Sequence, residues 1–547
     1  MNFKYIKNIV PAAAICLSLG LGSCVGDLDV TPIDPSTNME ADYDALFNKC
    51  YANMAVAGNG GANGDCDIDG LDGGTTGFVR QMFNANELPT DEAICCWGDE
   101  GIPAFNYGQW GASHPMLRGF YNRLYFGVTI CNFYLEEAGE YNETMTAEVR
   151  FLRALYYYHL MDCFGNIPFL TVVSSEPAPQ ATRQEVYNFI ESELLDIEGT
   201  MSAPMTGTYG RADQAAAWML LARLYLNAEV YTGTAQWQKA AEYAQKVMNS
   251  AYKLHTTGSH DAVNNKDWSA YQMLFMGDNG ENGAQCEAIL PLLQDGITTT
   301  SWGTSLFLMA STFKDDMTIV GAATNNVAGQ AWAGNRCRPE FVKKFFPNSE
   351  PPTVDSWEMV KAAGDDRALL WGKDRNLNIE TLADVGDFTQ GFSVAKFTNY
   401  TSNGAATHAS GFPDTDFFLM RAAEAWLTFA EATARQNGGT ATGAAADAIN
   451  DIRERANTTT KSSYTMNEIL DEWAREFYYE GRRRIDLIRH GKFGGSSDYK
   501  WQWKGGVQAG TNFASHLNIY ALPDWDLSAN PNLKQNPGYA EYSMYHP

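Results

Sequence analysis

The sequence predicts a mostly α-helical protein in which paired helices support long, loop-rich segments. Three observations predict it. Apolar residues recur at helical spacing in several stretches, and alanines alternate with aromatics along those stripes. Between them, residues 57–116 and 276–416 are rich in Gly, Asn, Asp, Thr and Trp and carry weak periodicity.

At the N-terminus, Lys4 and Lys7 precede an apolar run from Ile9 to Leu21 that ends in small residues, the pattern of an export signal. The run is too short and too rich in Gly, Ala and Ser to cross about 30 Å of hydrocarbon. An ordinary secretory peptide cleaved near Ser23 fits this pattern. Leu21-Gly22-Ser23-Cys24 fits a sharper one, a bacterial lipobox, in which residues 1–23 are removed and Cys24 becomes the lipidated first residue. Acyl chains anchor by burying methylenes at about 0.8 kcal/mol each. No later stretch approaches about 18 consecutive apolar residues, so residues 24–547 read as one soluble domain held to a membrane by lipid.

The helical stripes follow in order. Leu152, Leu155, Tyr156 and His159 share a face, and Thr182 with Glu185 forms a capping box ahead of Val186, Phe189, Ile190, Leu194 and Ile197. Ala215, Trp218, Ala222 and Tyr225 line one helix, and Ala240, Tyr243, Ala244 and Val247 the next. Leu419, Ala422, Ala423, Trp426 and Ala430 make a further stripe, as do Ile469, Trp473 and Phe477. Small residues alternating with large aromatics let helices approach closely, the composition of tetratricopeptide-like hairpins with degenerate spacing. A generic helical core has the same composition. Residues 57–116 and 276–416 read as insertions on that scaffold, and loops so long are usually functional when ordered.

With 65 acidic against 39 basic residues, the chain carries a formal charge of −26. That excess repels phosphates and argues against nucleic acid, while leaving a neutral ligand open. Ten cysteines show no paired CxxC spacing, which argues against zinc. Export permits disulfides and their pairing is left open, although adjacent Cys95 and Cys96 read as packed thiols. "DCDIDGLDGGTT" imitates a calcium loop but places Thr76 where an EF-hand needs a bidentate glutamate, so it reads as an acidic turn. No GxSxG, HExxH or P-loop motif occurs, and a glycosidase carboxylate pair has no support beyond the abundance of acids.

The tryptophans discriminate better. Trp218, Trp426 and Trp473 lie on helical stripes and read as core. Trp97, Trp302 and Trp332 instead lie in "CCWGDEGIP", "TTTSWGTSL" and "GQAWAGNRC", among polar and glycine residues. Exposed aromatics of this kind mark binding surfaces, and an indole face suits the C–H face of a pyranose. Each stack would contribute about 1–2.5 kcal/mol, and three stacks less the cost of association give roughly micromolar to millimolar binding.

The stretches "DLDVTPIDP", "FNANELPTDE", "EVRFLRALYYYHLMDCFGNIPF", "GRADQAAAWMLLARLYLNAEVYTG", "KAAGDDRALL", "HASGFPDTDFFLMRAAEAWLT" and "DEWAREFYYEGRRRIDLIRHGKF" resemble the SusD/RagB family over nearly the whole chain. The resemblance implies four tetratricopeptide-like hairpins supporting a loop-rich glycan-binding half. It also implies a non-enzymatic lipoprotein on the outer face of the outer membrane. Such a protein captures an α-glucan (starch or maltooligosaccharides) and hands it to a SusC-type TonB-dependent transporter. In the family's starch-binding member, three aromatics, an arginine and an asparagine hold the sugar. Trp97, Trp302, Trp332 and Arg80 match the first four, whereas the asparagine's neighbourhood reads Gly98-Asp99-Glu100, so Asp99 or Glu100 would take over its hydrogen bonding or the contact is lost. The resemblance further implies a structural calcium ion, with Asp414 and Asp416 as ligands and Asp278 or Glu281 completing the set. No other cofactor is expected. The departure at the asparagine keeps a different glycan open, and a cryptic glycosidase or a pure transporter lid are further alternatives.

Overall fold

The computed structural model describes residues 41–68, 71–319, 321–495 and 498–541. Cys24 and the signal segment lie outside the described residues. The chain divides into a short unit, residues 1–45, and a large one, residues 46–547, which holds everything below.

Small residues at the seams let long helices pack in pairs. Pro115–Glu137 lies against Glu143–Phe164, which in turn packs on Arg183–Ile197. Gln214–Leu226 pairs with Trp237–Met248, which also packs on Ala423–Gln436, and that helix meets Ala444–Arg455. Gly127 shows why. A Cβ there would lie within 2.6 Å of three atoms of the Tyr156 ring, so only glycine lets these two helices close. Ala215, Ala222, Ala240 and Ala244 do the same for the next pair and are fully buried. Helix starts are specified locally, as expected: Thr182 and Glu185 cap each other's backbone, and Thr465 with Glu468 repeats the device. Such caps contribute about 1 kcal/mol each.

Strands are short. Among the described residues they form two-stranded antiparallel ladders, of which two span long sequence distances: Ala93–Cys95 with Asn335–Cys337, and Ala288–Leu292 with Phe417–Arg421. The fold is therefore mostly α, as predicted.

Two expectations are corrected. Residues 57–116 are not simply an insertion, because Phe78–Asn86 is a helix with eight of its nine residues buried. Phe78, Val79, Met82 and Phe83 recur at helical spacing, but over nine residues only, and Gln81, Asn84 and Asn86 are buried with them. Trp426 and Trp473 are core and donate to Asp451 and Glu431 at 3.0 and 2.7 Å, but Trp218 is only half-buried, its ring 5.6 Å from the Lys246 ammonium. All eight cysteines among the described residues are free thiols.

A buried ion network joins the helical half to the loop-rich half. Glu472, Glu476 and Glu480 recur at four-residue spacing along "EWAREFYYE". Arg367 reaches Glu472 at 2.7 Å, and Arg421 reaches Glu476 at 2.6 Å and Glu480 at 2.8 Å. Arg421 also meets Glu287 at 2.9 Å. Burial opposes the charge on Glu476, but Arg455, Arg421 and Arg367 outweigh it and hold the carboxyl down at about 2.

His159 is the opposite case. It lies edge-on between Phe78, Phe120 and Tyr158, its Nε2 buried without a partner. Burial, with Arg223 nearby, lowers its pKa from 6.5 to about 3. As pH falls below about 6.5 the unfolded chain takes up this proton first, so stability drops with pH down to about 3. Urea denaturation should therefore show a lower unfolding free energy at pH 5 than at pH 7. His159→Phe should reduce that loss by up to about 2 kcal/mol.

Candidate functional site

The ladder between Ala93–Cys95 and Asn335–Cys337 brings two distant loops side by side, and Cys96 N–H continues the pairing to the Gly334 carbonyl at 3.0 Å. Trp97 follows the first strand and Trp332 precedes the second. Their ring centroids are 6.4 Å apart, and the Trp97 indole N–H donates to the Trp332 carbonyl at 3.1 Å. Gly334 makes this possible, since a Cβ there would sit within 2.6 Å of three Trp97 indole atoms. The carbonyls of Ala310, Ser311 and Phe313 accept from the backbone N–H groups of Trp332, Gly334 and Ala333 at 2.9, 2.7 and 3.0 Å. The loop thus rests on the end of the helix Ser305–Ser311.

Trp302 arrives from the segment before that helix. Gly303 packs against Gly77, where a Cβ on Gly77 would lie 2.7 Å from the Gly303 Cα, and Arg80 N–H donates to the Gly303 carbonyl at 2.9 Å. The Trp302 indole N–H is anchored on the Ala62 carbonyl at 2.8 Å. Its ring centroid is 6.2 Å from that of Trp332. The three rings therefore form one series, Trp97–Trp332–Trp302, with successive planes 48° and 39° apart, and each ring is half-buried. They are neither on separate faces nor inside.

Arg80 backs the series. Its guanidinium lies 5.6 Å from the Trp97 ring and 5.2 Å from that of Phe307. Burial lowers its pKa, opposed by Asp72, Cys95 and Asp99. Its Nε is buried and without a hydrogen-bond partner, a donor that an unaccompanied fold would rarely leave unmade. Asp99 and Glu100 are exposed, and of the two only Asp99 bears on the Arg80 charge.

Phe307, Gln330, Gly334 and Phe412 also belong to this site and escaped the sequence reading. Phe307 meets Trp97 edge-on at 6.4 Å, Phe412 lies 4.9 Å from Trp302, and Gln330 Oε1 accepts the Trp332 indole N–H at 2.9 Å. The glycine-rich context of "GQAWAGN" was the signal for close backbone approach at Gly334, and nothing local marked the others.

Comparison with known proteins decides the family. The chain is 43% identical, over 98% of its length and 100% of the relative's, to the starch-binding protein SusD of Bacteroides thetaiotaomicron. The chain belongs to the SusD family. The model of that family matches residues 372–539, and a second model, described as starch-binding and associating with the outer membrane, matches residues 30–226. SusD-like protein P2 of Formosa agariphila is 24% identical over 96% of this chain and 98% of its own. A solved surface glycan-binding protein A from Bacteroides thetaiotaomicron, in complex with laminarihexaose, shares the fold with a TM-score of 0.61. It is 19% identical, over 90% of this chain and 98% of its own.

The resemblance to the SusD family implies calcium at Asp414 and Asp416 with Asp278 or Glu281, and in this structure Asp414 adds to the burial that raises the neighbouring Asp416 carboxyl. Among the described residues, no three His, Cys, Asp or Glu side chains are grouped to hold a metal ion. Asp278 spends Oδ2 on the Ser402 N–H and hydroxyl at 2.8 and 2.6 Å and Oδ1 on Asn282 at 3.0 Å, and Glu281 is exposed. Asp416 accepts from Gln294 N–H at 2.8 Å and from Tyr209 at 2.9 Å, and burial pushes its carboxyl up to about 7. Asp414 clasps His408 at 2.9 Å. Asp278, Asp414 and Asp416 thus each hold loop hydrogen bonds, while the buried Asp414 Oδ1 stands without a hydrogen-bond partner.

The packing at Gly334 makes a direct prediction. Gly334→Ala should displace the Trp97 indole, shift tryptophan emission and lower the unfolding free energy by about 1–3 kcal/mol in chemical denaturation.

Proposed function

We propose that this protein captures α-glucan chains, starch or maltooligosaccharides, on the Trp97–Trp332–Trp302 platform. In this reading it passes them to a SusC-type TonB-dependent transporter in the outer membrane, where a lipid on Cys24 would hold it at the cell surface. It acts as a binder and not as an enzyme. The observation that carries the reading is the convergence of three indoles from distant segments into one half-exposed series whose planes turn from ring to ring. A coiled glucan presents successive C–H faces that also turn, so each ring can meet one sugar while the hydroxyls stay solvated. Arg80 lies beside Trp97 with part of its side chain exposed, so its guanidinium can offer a donor to a sugar hydroxyl. The starch-binding relative, at 43% identity over almost the whole chain, supports the choice of glucan.

Retention on amylose in affinity electrophoresis tests the platform. Trp332→Ala and Trp97→Ala should each lose affinity by roughly 5- to 70-fold, the equivalent of about 1–2.5 kcal/mol, in protein that remains folded by circular dichroism. Full retention by both variants would reject the platform. A panel including laminarin tests the sugar, since a stronger interaction with a β-linked chain would replace starch as the ligand.

A further inference from the structure

Phe412 continues the platform at its Trp302 end. The two ring centroids lie 4.9 Å apart, closer than either spacing between tryptophans, with planes turned by 58°. The residue is half-buried. Phenylalanine has no polar handle, so the surface it leaves in solvent is purely apolar.

The loop that carries this ring is held on both sides. His408 N–H donates to Asp414 Oδ2 at 2.9 Å, and Asp414 N–H donates to Asn399 Oδ1 at 2.9 Å. Ala328 N–H donates to the Ser410 carbonyl at 2.7 Å. Gln330 then links the loop to the central indole: Oε1 accepts from Trp332 at 2.9 Å, and Nε2 donates to the Gly411 carbonyl at 3.5 Å. Phe412 is therefore placed by the same segment that places Trp332. The rings run Trp97, Trp332, Trp302, Phe412.

We propose that Phe412 forms a further sugar subsite, one ring beyond the three tryptophans, and that it makes the protein prefer longer α-glucan chains to short ones. The inference rests on the glucan-binding reading above. A short oligosaccharide seated on the indoles gains nothing from Phe412. A chain that runs past Trp302 lays one more C–H face on apolar surface, and the entropy of association is lost only once however long the chain is. The fourth ring thus contributes to affinity for long ligands alone.

Calorimetric titration of the purified protein with maltotriose and maltoheptaose tests this. Phe412→Ala should weaken maltoheptaose binding roughly 5- to 30-fold and leave maltotriose within about twofold. Phe412→Leu, which keeps bulk but removes the flat face, should follow the alanine variant at an unchanged melting temperature, and Phe412→Trp should retain wild-type affinity. Equal losses for both sugars would overturn the subsite. So would no loss for either when Trp332→Ala loses both, a result that leaves the glucan-binding reading standing. If Trp332→Ala weakens neither sugar, the glucan-binding reading falls and the subsite falls with it.

Discussion

The tryptophan series depends on backbone pairing between residues 93–95 and 335–337. Closing so long a loop carries an entropic cost, and it is offset by two fully buried arginines on the second strand. Arg338 donates to the carbonyls of Ala93, Leu88 and Asn106 at 2.9, 3.2 and 2.9 Å. Arg336 reaches those of Asp384 and Val385 at 2.8 and 2.6 Å. Both charges are met by backbone oxygens, and burial lowers the Arg338 pKa to about 10. Two guanidinium groups thereby stitch irregular loops into a rigid support, and the tryptophans stand at its edge.

The second organising feature is the ion network around Glu472, Glu476 and Glu480. Its arginines come from the loop-rich segment (Arg367), from the strand Phe417–Arg421 (Arg421) and from a scaffold helix (Arg455), so it ties these elements to one another. Buried pairs of this kind add little net stability over well-packed apolar side chains, but losing one partner strands a charge at a cost of about 3–5 kcal/mol. The consequence is register more than strength.

Much of the scaffold was legible in the sequence because its causes are local. The Thr182 and Glu185 box acts over three residues, and the alanine stripes and the apolar face of "FLRALYYYHL" show as a spacing of three or four residues along the chain. Helix Phe78–Asn86 was not legible as a buried helix, because it is only nine residues long and its inward polar residues reach outside it, as when Asn84 bonds to the Met116 sulfur. The acids of "PDTD" were legible as a cluster, but their hydrogen-bond partners were not. Asp414 and Asp416 hold loops through His408, Tyr209 and Gln294, partners that spacing along the chain does not reveal.

For the site itself, composition was enough to pick out Trp97, Trp302 and Trp332, since indoles set among glycine and polar residues have little nearby to pack against. Their order, their spacing of 6.2–6.4 Å and the turn between their planes come from the ladder, from Gly334 and from the Gly77–Gly303 contact. Phe412 belongs to the same surface only because Gln330 and Ala328 hold its loop against another one. Periodicity and capping are read out over one helical turn, and so the sequence declares them. Convergence of loops is decided by non-local hydrogen bonds and close backbone approach, and these exist only once the chain has folded.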